Sequence, residues 1–270
     1  MSDIDEDKQI PKKFYSRLDA AEDPSKWQDL TTYRALRSSI GNEEEKNILD
    51  KLARNIKIII TEYSGNTKKR CRDVNHWINE KIKTLEGKKL GSDVRPYSYS
   101  VFNDVKWNGI NSEKVCDRDD KLYSSLNAEL MKELDDYCEI RDNNGCNVLK
   151  NKNECLKFNS YIKRKKEYFS GQITNNCNPP DCKLEDYKID ENCSLYNTDI
   201  TFPEINCDVL YKKEFTPVGS IIHRFKRRKY DLKRNIEKVD DDRYSSYHSE
   251  TIPANSSNER YYIEYARPHN

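Results

Sequence analysis

The sequence predicts a mainly α-helical fold: an irregular helical bundle with a cysteine-rich loop region and a disordered basic tail. Three observations carry this expectation. Only 8 Gly and 9 Pro occur among 270 residues, a composition permissive for helices. Apolar residues recur at spacings of three and four over several long stretches. Of nine cysteines, six (146, 155, 177, 182, 193 and 207) fall in one largely polar region. Hydrophobic residues make up 35% and 18 of the residues are Tyr, so the core is expected to be thin for the length.

Residues 1–29 read as an N-terminal arm with room for a short helix around Phe14 to Ala21, ended by Pro24. A helical domain is expected over 30–171. From Glu43 to Tyr63 the residues Leu49, Leu52, Ala53, Ile56, Ile59, Ile60 and Tyr63 form one apolar stripe, with three Glu in the first turn. Gly65 and Asn66 break that helix. Thr67 can cap a second one to about Leu85, whose apolar face is Cys71, Val74, Trp77, Ile78, Ile82 and Leu85. The two are expected to pack as a hairpin, with Cys71 and Trp77 in its core.

Gly87 to Asn111 reads as a connector with at most a short helix, its Tyr97, Tyr99, Phe102 and Trp107 plugging the bundle. Leu122, Leu126, Leu130, Leu134 and Cys138 at strict fours predict a third long helix from about Asp119 to Glu139. After a turn at Asp142 to Gly145, a fourth is expected from about Cys146 to Phe169, with regularity fading past Gly171. The segment 172–214 is a cysteine-rich extension, with no helix predicted over 172–210. Its order must come from cross-links or docking. Residues 215–270 read as a basic, largely disordered tail.

Lys and Arg total 48 against 47 Asp and Glu, so no global field draws the chain to nucleic acid. No stretch approaches the ~20 apolar residues of a membrane helix, and Met1 to Lys13 lacks the apolar centre of a signal peptide. The cysteine density argues for disulfides, with Cys138, Cys146, Cys155, Cys177, Cys182, Cys193 and Cys207 as candidates. Spacing leaves the pairing open, and an odd count leaves at least one thiol unpaired or intermolecular. No C-x-x-C pair or H-x3–5-H element supports a zinc finger, so no metal or other cofactor is expected. Cys71 and His76 share a helix, but five positions separate them by about 140°, which defeats a nucleophile–base pair. With no nucleotide-binding, hydrolase or metalloprotease signature either, the sequence names no catalytic residue and predicts no enzyme. From His223 to Arg234, seven cations face one acid; Arg224, Lys226, Arg227, Arg228 and Lys229 are candidate contacts to an anionic membrane.

Three features taken in order carry a resemblance. They are Cys71-Arg72-Asp73-Val74-Asn75-His76-Trp77-Ile78-Asn79-Glu80-Lys81-Ile82, then Cys155 with Tyr161-Ile162-Lys163 and Tyr168, then Phe215-Thr216-Pro217-Val218-Gly219-Ser220 before a basic run. Over about residues 10–230 the chain resembles the VIR branch of the Plasmodium interspersed repeat proteins. The resemblance implies a variant surface antigen of a malaria parasite, exported to the infected red cell and acting in antigenic variation, immune evasion and adhesion. Its partner would be a host cell-surface receptor or an antibody, met by outer loops at 87–118 and 172–210. Such proteins commonly lack a cleaved signal peptide, which reconciles the cysteines with Met1 to Lys13. They also carry a membrane helix, expected just before Phe215, where Ile205 to Glu214 is short and charged. An alternative follows: a soluble exported protein acting inside the host cell, at the membrane inner face or skeleton.

Overall fold

The computed structural model describes residues 4–20, 30–90, 93–107, 113–123, 127–177 and 183–211. Its helices are α1 (Ile10–Arg17), α2 (Thr31–Ser39), α3 (Glu43–Glu62), α4 (Thr67–Gly87), α5 (Val94–Asp104), α6 (Ala128–Asn144) and α7 (Lys152–Asn176). A two-stranded antiparallel hairpin, β1 (Lys188–Asp190) with β2 (Cys193–Ser194), follows, then the single turns α8 (Thr198–Thr201) and α9 (Cys207–Leu210).

Asparagine starts most of these helices. Asn42 accepts hydrogen bonds from the backbone N–H groups of Glu44 and Glu45 at the head of α3, where three glutamates complement the dipole. Asn66, rather than Thr67, caps α4 by accepting from Lys69 N, and Asn127 and Asn151 cap α6 and α7. The side-chain amide oxygen satisfies an orphan N–H that water would otherwise have to solvate.

Two apolar cores result. The first joins α1 to α5: Leu49, Leu52, Ile56 and Ile59 of α3 meet Val74, Trp77, Ile78 and Ile82 of α4, forming the expected hairpin, with Phe14 of α1 against them. The second joins α6 and α7 through Leu134, Tyr137, Ile140, Phe158, Tyr161, Ile162 and Phe169, and takes in Tyr187, Leu195, Phe202 and Ile205 from the C-terminal segment.

Five local expectations are corrected. The connector holds a true helix, α5, because Val94, Val101 and Phe102 form an apolar stripe buried on α2 and α3, while Pro96 sits in the first turn, where its missing N–H costs nothing. Tyr99 of that helix is exposed rather than plugging the core. The third helix starts at Ala128, not Asp119, because Tyr123 takes a left-handed backbone (φ 61°) ahead of the Asn127 cap; Leu126 lies outside the described residues. The fourth starts at Lys152, after a 3₁₀ turn over Gly145–Leu149, and runs through Gly171 to Asn176. No helix is expected over 172–210, yet besides the end of α7 that stretch holds the single turns α8 and α9, and past 183 it is ordered by cross-links and docking together.

Candidate recognition surface

A cluster of opposite charges fills the junction of α1, α4 and α6. The side chains of Lys69 and Arg70 are 1% exposed and that of Asp73 is 0% exposed. Lys69 Nζ bonds Asp73 on its own helix, Asp136 across the junction at 2.7 Å, and lies 3.6 Å from Asp135. Arg70 pairs with Glu139 and lies over the Phe14 ring at 4.9 Å. Arg72 grips both oxygens of Asp135 at 2.7 Å. Lys132 reaches Asp136 at 2.5 Å, and Lys12 of α1 reaches it at 3.2 Å. Burial alone would raise the carboxyl of Asp136, but Lys69, Lys132 and Lys12 outweigh it and hold that group well below the ordinary range. Asp135 is lowered likewise, burial being outweighed by Lys69 and Arg72. At Glu139 burial outweighs Arg70 and Lys69, and the carboxyl is raised. These groups turn inward and are neutralised there, so the cluster fixes how α4 and α6 cross; it offers no free charge to a ligand.

The C-terminal segment is pinned to the second core at several points. Cys138 of α6 is bonded to Cys193 of β2, and Cys155 of α7 to Cys207 of α9. Arg141 Nη1 donates to the carbonyls of Asn192 and Thr201, at 2.9 and 2.8 Å. Tyr137 Oη also donates to Thr201 O, and its ring stacks on Phe202 at 4.9 Å. Asn159 donates to Ile205 O and accepts from Ile205 N. The hydrogen-bonding anchors each take up a backbone polar group of an irregular segment that could not otherwise be packed against an apolar face. Its outer side chains are left to solvent: Tyr196 is 65% exposed and Val209 53%. The Lys152–Asp208 ion pair and the Cys155–Cys207 bridge hold Val209 to the start of α7, which carries exposed Leu156 just after exposed Leu149 of the preceding turn.

Among the candidate cysteines, Cys138, Cys155, Cys193 and Cys207 therefore meet in two cross-links, and Cys177 is also disulfide-bonded. Cys146 is corrected: it is a free thiol, half-buried on the 3₁₀ turn. Cys71, expected only as a core residue, forms a third cross-link with Cys116, tying α4 to the segment after α5. Cys182 and the basic residues Arg224, Lys226, Arg227, Arg228 and Lys229 lie outside the described residues. Of the two loops expected to meet partners, 87–118 contains the packed helix α5, whereas the described part of 172–210 beyond α7 is a surface segment. Arg141 and Asn159 were not singled out from the sequence; only their placement on helix faces otherwise lined by apolar residues hinted that they are buried partners.

Fold and surface together define a mainly helical, disulfide-stapled domain that internalises its strongest charges and presents an irregular, cross-linked segment outward. Residues 11–214 match the family described as Plasmodium vivax Vir protein, and the chain belongs to that family of malaria-parasite variant antigens. No curated protein and no solved structure matches the chain. Among the described residues, no helix is long and apolar enough to cross a membrane.

Proposed function

We propose that this chain is exported to the infected red cell and works there by recognition: its cross-linked C-terminal segment, 183–211, is read by host antibody or engages a host cell-surface receptor, serving antigenic variation, immune evasion and adhesion. The observation that carries the reading is the pair of disulfides, Cys138–Cys193 and Cys155–Cys207, that fasten this segment to α6 and α7.

Antigenic variation needs a surface that changes while the fold does not. Here the fold rests on buried side chains, the charge cluster and the cross-links. Exposed positions such as Lys188, Glu191 and Tyr196 carry little of it, and replacing such residues typically changes stability by within about 0.5 kcal/mol. Exposed Tyr196 also supplies the amphipathic aromatic that dominates many recognition surfaces. Disulfides form in oxidising compartments, which supports a route out of the parasite cytosol.

The test is antibody raised against the folded full chain, applied to infected red cells before and after permeabilisation. Labelling of intact cells, and competition by folded chain but not by reduced chain, is the expected result. Labelling only after permeabilisation overturns surface display and favours action at the inner face of the host membrane, where the basic run Arg224 to Lys229 would meet anionic lipid.

A further inference from the structure

On the side of α4 facing the start of α6, a buried imidazole points at two carboxylates. His76 is enclosed, with a side chain 3% exposed, and its Nε2 has no hydrogen-bond partner. An orphaned polar atom this deep is costly. Glu80 lies one helical turn further along α4, on the same face, and Glu129 comes from the first turn of α6. One ring nitrogen and one oxygen from each carboxylate all lie within 4.8 Å of one another, and Nε2 is 3.7 Å from Glu129 Oε1. Both glutamates line a cavity of about 490 Å³.

We propose that His76, Glu80 and Glu129 form a site for a divalent ion of the zinc class, with its remaining coordination position open to this cavity. The donor set is one nitrogen and two carboxylate oxygens, the borderline mixture that zinc accepts, and three protein ligands with an open fourth place is a recurrent zinc arrangement. Bonds of about 2.0–2.1 Å in a tetrahedron set ligand atoms roughly 3.4 Å apart, so the carboxylates must close inward slightly. Glu80 and Glu129, with side chains 36% and 72% exposed, are free to do so, whereas the buried imidazole is fixed.

The surroundings suit this role. Metal on Nε2 requires the ring proton on Nδ1, and Tyr15 Oη lies 2.8 Å from Nδ1 to accept it, the outer partner that orients a metal-binding imidazole. The Lys132 ammonium also acts on the ring. Lys132 is itself paired with Asp136. Because Glu129 belongs to α6 and His76 to α4, a bound ion would also clamp the two apolar cores together.

The test uses the full chain carrying Cys146→Ser, which removes the free thiol as a rival ligand, stripped with chelator and titrated with Zn²⁺ by calorimetry. One saturable zinc per chain is expected, weakened at least about tenfold in Glu129→Gln and in Glu80→Gln and abolished in the double variant. These exposed changes leave the helical circular dichroism intact. Tyr15→Phe should keep the stoichiometry and weaken binding about 10- to 100-fold. Co²⁺ bound at the site should give the visible absorption of a low-coordinate centre. Absence of saturable binding, binding undiminished in the double variant, or equal affinity for Ca²⁺, which takes all-oxygen ligands, would each overturn the proposal.

Discussion

Lys69→Met removes one charge from a cluster in which Lys69, Arg70, Arg72 and Lys132, with Lys12 at its edge, face Asp73, Asp135, Asp136 and Glu139. Met fills similar volume and is as apolar as the lysine stem, so the perturbation is electrostatic rather than a cavity. Three carboxylates lose the ammonium that sits between them, at 2.7 Å from Asp136, at 3.6 Å from Asp135 and in direct contact with Asp73. Breaking a buried pair by deleting one partner costs about 3–5 kcal/mol. Arg70, Arg72 and Lys132 still reach the same acids, which places the expected cost at the lower end, about 3 kcal/mol. That is a large share of the 5–15 kcal/mol that typically separates native from unfolded protein. The assay is urea unfolding followed by circular dichroism, comparing midpoints at unchanged slope. Asp73→Asn made together with Lys69→Met removes both members of a directly paired cation and anion, so the double variant should lose less than the sum of the singles. A Lys69→Met cost under about 1 kcal/mol, or simple additivity, would show that the cluster is solvated and refute the reasoning.

Removing the Cys138–Cys193 bridge with paired alanines opens a separation of 55 residues and should cost about 4 kcal/mol by loop entropy, read as a lower urea midpoint; no change would mean that the segment is held by docking alone. Phe102→Ala should cost about 3–5 kcal/mol because this α5 ring is 0% exposed, whereas a loose connector would tolerate it. Asp135 and Asp136 have carboxyls depressed in the fold below the ordinary 3.8. Their contribution is present above pH 3.8 and is lost as pH falls below it, by up to about 1.4 kcal/mol per pH unit for each group. Glu139, raised above 4.5, opposes this from pH 4.5 upward, so unfolding midpoints should fall most steeply below pH 3.8; a midpoint constant from pH 5 to 2.5 would contradict the assignment.

Much of this architecture was legible because single helices announce themselves. The stripe from Leu49 to Tyr63 places α3 almost to the residue, since burial of one face imposes a period of 3.6. The apolar face of α4 is legible for the same reason, through Val74, Ile78 and Ile82, but nothing local marks Lys69 and Asp73 on another face as buried, because charge reads as exposure until a partner helix supplies its complement. Pairing Asp136 with Lys69 spans 67 residues, and no local rule encodes that. The α5 helix was hidden by a proline and by aromatic residues that fit loops equally well. Cysteine arithmetic foresaw an unpaired thiol but not its identity, Cys146, nor the Cys71–Cys116 bridge, since partners 45 residues apart meet only through tertiary packing. The carboxylate beside His76 was invisible for the same reason: Glu80 shares its helix, but Glu129 arrives from α6.

Recognition by a stapled surface depends on one covalent pattern, and peptide mapping of the native chain after alkylation, without reduction, tests it most directly. The predicted result is Cys71 linked to Cys116, Cys138 to Cys193 and Cys155 to Cys207, with Cys146 alkylated. Nine alkylated thiols in chain isolated from infected red cells would contradict it, and would leave the segment 183–211 without the cross-links on which its role as a presented surface rests.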